Sequence, residues 1–130
     1  MHDIEAAIED LPRAVNGDAA LVRIGRHCTT EMLLEAGALA FHLAIDRGRL
    51  VDVIRGPLRM RAWVFAVRAE TDAWLRFWAP VPGPGYNDIF AMASRGHARI
   101  EGDVGPLLEH LRYLKAVLAL PRGRVGSAAA

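Results

Sequence analysis

The stretch Leu39-Ala40-Phe41-His42-Leu43-Ala44-Ile45-Asp46-Arg47-Gly48-Arg49-Leu50-Val51-Asp52-Val53-Ile54 reads as two strands with a tight turn between them. Aromatic and β-branched residues fill both arms, and Asp46-Arg47-Gly48 supplies the turn, which together form a hairpin signal. Upstream, Cys28-Thr29-Thr30 and Met32-Leu33-Leu34 fit helix or strand by pattern and are read as strand. Further upstream, Ala20, Val22 and Ile24 alternate with Arg23 and Gly25, the period of a half-exposed strand. Downstream, a strand is expected from Met60 to Val67, with Arg61, Trp63, Phe65 and Val67 on one face. Met60, Ala62, Val64 and Ala66 form its other face, and an apolar middle on both sides implies a covered strand.

Helical periodicity frames this strand-rich middle. Ile4, Ala7, Ile8 and Leu11 share one face of an opening helix that Pro12 is expected to end, with Asn16-Gly17-Asp18 turning behind it. Thr71 is placed to cap a short helix on which Trp74, Phe77 and Trp78 share a face. Residues 79–85, Ala-Pro-Val-Pro-Gly-Pro-Gly, exclude regular structure. Asn87 or Asp88 then caps a helix carrying Ile89, Phe90, Met92 and Ala93, and residues 98–102 alternate as an edge strand. A last helix, with Pro106 near its start, aligns Leu107, Leu111, Leu114 and Leu118 until Pro121. This order predicts an α+β domain over residues 1–121, a mainly antiparallel sheet with helices on one face, and a disordered tail over 122–130.

Composition narrows the function classes. At 130 residues and net charge +1, the chain is one domain without the basic stripe of a nucleic-acid binder. Lys115 is the only lysine among the 16 basic residues, a bias that codon usage alone can produce. Cys28 is the only cysteine, so no internal disulfide is possible, which fits a reducing cytoplasm. Residues 1–5 lack the basic start of a signal peptide, and no apolar run reaches the ~18 residues of a membrane span. A soluble, cytoplasmic protein is expected. Its hydrophobic fraction of 52% implies either a lined cavity or an oligomer interface.

The residues that could carry chemistry do not assemble into a catalytic pattern. Ser94 and Ser127 are the only serines, and Ser94 lacks the glycines of a nucleophile elbow. Cys28 follows His27 directly, and neighbours in a strand point to opposite faces, so a dyad is disfavoured. The histidines at 2, 27, 42, 97 and 110 show no metal-binding spacing, and His42 and Asp46 lie two pleats apart. Gly83-Pro84-Gly85 is no phosphate loop, because proline removes the N–H donors such a loop needs. No catalytic residue, metal or cofactor is therefore expected. The constellation that remains is aromatic: Trp63, Phe65, Trp74, Phe77, Trp78 and Phe90 fall close together in the chain. Such side chains line pockets for apolar molecules, and they also fill the space between a helix and a sheet.

The hairpin 41–54, the strand 61–67 feeding the helix at Trp74, and Ala98-Arg99-Ile100-Glu101-Gly102-Asp103 turning into a Leu-rich last helix resemble the sterol carrier protein family in its type 2, sterol-transfer form. The likeness covers roughly residues 20–120. It implies a five-stranded sheet backed by helices around an apolar tunnel for sterols, fatty acyl chains or isoprenoids, and it implies no catalytic motif. The expected reading is a non-catalytic carrier of a lipid-like ligand held by Trp63, Phe65, Trp74, Phe77, Trp78, Phe90, Met92 and Leu111. Arg61 or His42 would stand at the mouth. Neither nucleic acid nor stable membrane insertion is expected among its partners, and a homodimer is allowed. The alternative is a homo-oligomeric accessory protein with a filled core and no ligand.

Overall fold

The computed structural model describes residues 3–56 and 61–124. In chain order the elements are α1 (Asp3–Glu9), α2 (Leu11–Asn16), α3 (Ala19–Ile24), β1 (Thr30–Ala36), β2 (Leu39–Asp46), β3 (Arg49–Arg55), β4 (Phe65–Ala69), α4 (Thr71–Phe77), α5 (Ile89–Ser94), β5 (Ala98–Gly102), α6 (Gly105–Glu109) and α7 (Leu111–Ala119). The five strands form one sheet in the order β3-β2-β1-β4-β5. All neighbours are antiparallel except β1 and β4, which run parallel. This is the expected α+β architecture.

The hairpin forms because Arg47 (φ 52°) and Gly48 (φ 83°) both adopt positive φ, the two-residue geometry whose twist matches the flanking strands. Asp46 pairs with Arg49 across the turn, and a bulge lies beyond it where the register shifts between Ala44 and Ile45. The outer strand is secured by Asn16, whose side-chain amide both donates to Leu50 O (3.0 Å) and accepts from Leu50 N (2.9 Å). An amide therefore stands where a sixth strand would otherwise pair.

One sheet face carries Met32, Leu34, Ala36, Phe41, Leu43, Ile45, Leu50, Phe65, Val67 and Ala98 into a single core with residues from α1, α2, α4, α5, α6 and α7. Leu33, His42 and Ala66 are buried on the other face, where residues leading into β4 cross: Ala62 O lies 3.0 Å from His42 Nε2. Phe65, Ala66 and Val67 have no exposed surface, so β4 is covered on both sides as its composition implied.

Several local expectations differ. Residues 19–24 are helix, because the Asp18 side chain accepts from Leu21 N (3.1 Å) as an N-cap and the following alanines favour helix. The alternation there buries nothing regular: Leu21 points into the core while Ile24 is exposed. Pro12 does not stop the first helix but sits in the first turn of α2, where its missing N–H has no partner to lose. The strand expected from Met60 starts only at Phe65, leaving Trp63 outside it, and Met60 lies outside the described residues. The last helix breaks at His110 (φ −114°, ψ 37°), so α7 buries Tyr113, Leu114, Val117 and Leu118 while Leu111 is only half-buried. Glu70, not Thr71, occupies the N-cap of α4, whereas Asp88 caps α5 through Ala91 N (2.8 Å) as expected. Residues 121–124 lie in a turn, and the remainder of the expected tail lies outside the described residues.

Candidate functional site

The aromatic residues of α4 build a layer between the sheet and the remaining helices. Trp74, Phe77 and Trp78 recur three and four residues apart, so one helix face carries all three inward. The Trp74 and Trp78 rings stack with centroids 4.9 Å apart at 28°, and Phe77 meets Trp74 edge-on at 5.6 Å. Their polar atoms are satisfied by backbone: Trp74 Nε1 donates to Glu35 O (2.8 Å) and Trp78 Nε1 to Leu118 O (2.7 Å). Phe65 and Met92 join them in the same core, with Phe90 packed at its edge.

Two residues of the expected set stand apart. Trp63 lies against the Arg68 guanidinium (5.6 Å), which in turn binds Glu35 (2.8 Å) and Glu101 (2.7 Å) across β1 and β5. Leu111 faces partly outward at the start of α7. His42 is fully buried on the sheet face away from the helices, and Arg61 is exposed. Trp74 and Trp78 have no exposed surface and Phe77 only 2%, so in this conformation the aromatic layer is packed rather than hollow.

Two surface grooves lie beside the turn that follows α7. One, about 240 Å³, is floored by Phe77, Ile89, Ala116 and Ala119 and rimmed by Asn87, Asp88, Lys115 and Arg122. The other, about 380 Å³, lies where Ala6, Ala7, Leu11 and Ala14 face Leu120, Pro121 and Arg124. The turn 120–124 separates them and is pinned to the end of α4: Gly123 N donates to Trp78 O (2.8 Å) and Arg122 Nε to Phe77 O (3.0 Å). No spacing in the sequence points to Lys115 or Arg122 at this position. They reach the groove only because α7 carries the end of the chain back onto α4 and α5.

Burial, aided by the charge of Glu109, pushes the Cys28 thiol up to about 11, so the thiolate is scarce at neutral pH. A thiol reagent at pH 8 is expected to label the unfolded chain and leave the native protein unlabelled; labelling at similar rates would mean that Cys28 is reached through local opening. His42 Nε2 lies 2.8 Å from Glu31 Oε1, while its Nδ1 has no partner among the described residues. Ser94 Oγ donates to Ala91 O at the surface end of α5. Among the described residues no three His, Cys, Asp or Glu side chains converge as metal ligands, and no helix is long and apolar enough to cross a membrane.

No protein-family model and no curated protein matches this sequence. Solved structures do match in three dimensions. The crystal structure of sterol carrier protein 2 superposes with a TM-score of 0.70 at 14% identity, covering 90% of this chain and 94% of that one. A UbiJ-SCP2 ubiquinone synthesis protein gives 0.55 at 11% identity, over 90% of this chain and 96% of that one. The solution structure of sterol carrier protein domain 2 from Helicoverpa armigera gives 0.53 at 14% identity, over 91% of each chain. The chain therefore has the sterol carrier protein 2 fold, as the resemblance of its late strand and last helix implied.

Proposed function

We propose that this protein is a non-catalytic, cytoplasmic carrier or binding domain for an apolar, lipid-like ligand. The observation that carries this reading is a fold shared with sterol carrier protein 2 along 90% of the chain. Two grooves flank the turn 120–124 and support this reading, one of them floored by Phe77 of the aromatic layer. A ligand entering there would meet Phe77 first, with Trp78, Trp74, Phe65, Phe90 and Met92 behind it in the core. Trp63 and Leu111 would contribute from outside that layer. Binding would draw on apolar burial, ~25 cal/mol per Å² before the costs of association. The turn is the gate in this reading: the bonds from Gly123 N to Trp78 O and from Arg122 to Phe77 O and Asn87 O tie it down, each worth only about 1 kcal/mol net.

The second reading is a homo-oligomeric accessory protein, favoured by the complete burial of Trp74 and Trp78. Native mass spectra of protein purified from its host, before and after organic extraction, separate the two. The carrier reading expects an adduct of lipid mass that extraction removes. A bare chain mass, above all at twice the monomer, would overturn it in favour of the oligomer.

A further inference from the structure

The groove over Phe77 has an apolar floor and an unbalanced rim. Lys115 Nζ lies 3.1 Å from Asp88 Oδ2, and the other oxygen of Asp88 accepts from Ala91 N at the start of α5. The single carboxylate of the groove is thus already engaged twice. Arg122 has no carboxylate within ion-pair distance among the described residues. Its Nε donates to Phe77 O (3.0 Å), its Nη2 to Asn87 O (3.1 Å), and the guanidinium lies 4.8 Å above the Phe77 ring. Two cations face one anion, and the uncompensated cation covers the apolar floor. A guanidinium held by neutral carbonyls keeps N–H donors free for a carboxylate, which would bind by stronger, charge-assisted bonds.

Resting on the carrier reading above, we propose that Arg122 is a charge-selecting latch: it closes the groove over Phe77 and is drawn off by an amphiphile with a carboxylate head, which Lys115 helps to hold. Partial burial already lowers the affinity of Arg122 for its proton, with only the more distant charge of Asp88 opposing this, as expected of a cation that lacks a counter-ion. Release of Arg122 frees two carbonyls: Asn87 O, on an exposed residue where water can replace the lost donor, and Phe77 O, on a buried residue, whose lost bond the bonds to the incoming carboxylate must outweigh. An alcohol-headed chain of the same length has no such hold on the guanidinium and must open the latch unaided.

The test measures dodecanoate and 1-dodecanol binding to the full chain by calorimetry at low ionic strength, for the unsubstituted protein, Arg122→Gln and Lys115→Gln. The unsubstituted protein is expected to prefer dodecanoate by about tenfold, the equivalent of about 1.4 kcal/mol. Arg122→Gln should keep only the smaller preference for the acid that Lys115 supplies and should take the alcohol more readily than the unsubstituted protein does. Lys115→Gln should reduce the preference without making alcohol uptake easier, and it serves alone if Arg122→Gln fails to fold. Equal affinity for acid and alcohol in the unsubstituted protein, or an undiminished preference in either variant, overturns the latch and leaves the carrier reading standing. Binding of neither ligand to any of the three proteins overturns both.

Discussion

Trp78→Ala is expected to cost about 3–5 kcal/mol of folding stability, the range for deleting a large buried aromatic side chain. The Trp78 ring is fully buried, stacked on Trp74 at 4.9 Å and set against Phe77 at 6.1 Å. Its removal takes away those contacts and leaves a void that α4 and α7 can only partly close. It also strands Leu118 O, whose bond from Trp78 Nε1 is 2.7 Å. Against a typical domain stability of about 5–15 kcal/mol, the loss brings the protein close to unfolding. Urea denaturation of the variant measures it directly. Trp63→Ala is the contrast: that ring is half-buried beside the Arg68 guanidinium, where a cation–π contact is worth about 0.5–1 kcal/mol. Equal losses in the two variants would mean that the aromatic layer is not the structural centre of the helical side. A small loss at Trp78 together with faster ligand uptake would mean that its ring borders space a ligand enters.

That contrast between two tryptophans also marks where sequence reasoning succeeds. Local signals were legible wherever one short segment determines its own environment. Arg47-Gly48 allows positive φ at both turn positions, Asp88 can reach Ala91 N, and Trp74, Phe77 and Trp78 share a helix face. Residues 19–24 misled because a few alternating positions carry little weight against a capped, alanine-led helical start. The alternation that places Trp63 on the face of Phe65 holds only within a strand, and β4 begins at Phe65, so nothing fixes it upstream. His42 and Asp46 share a strand, whereas the partner of His42 is Glu31 on the neighbouring strand, two residues from Leu33, with which His42 pairs directly. The groove was illegible for a related reason. Lys115, Arg122, Asp88 and Phe77 belong to three helices and a turn, and no spacing along the chain encodes their meeting. The parallel pairing of β1 with β4 is likewise decided by a crossing connection, not by either strand's composition.

Gly48→Ala tests the junction that sets where α7, and with it the turn 120–124, can lie. Gly48 has φ +83°, and a Cβ there would fall 2.5 Å from Val22 O, 2.7 Å from Gly25 C and 2.8 Å from Gly25 O. All three are backbone atoms, so no side chain can rotate out of the way. The backbone cannot readily withdraw either: Gly48 N donates to Cys28 O (3.1 Å), and Tyr113 Oη donates to Gly48 O (2.7 Å). The left-handed conformation costs an alanine about 1–2 kcal/mol, and forced overpacking adds about 1–3 kcal/mol. Gly96→Ala isolates the first contribution, since Gly96 also has positive φ (+78°) but a Cβ there meets nothing within 4 Å. Urea denaturation should place Gly48→Ala well below Gly96→Ala in stability. The backbone near Gly48 should relax by moving α3 away from the hairpin, loosening Tyr113 and raising amide exchange along α7. If the two variants lose the same amount, the contact between α3 and the hairpin is looser than these distances require, and the end of α7 is positioned by the aromatic layer alone.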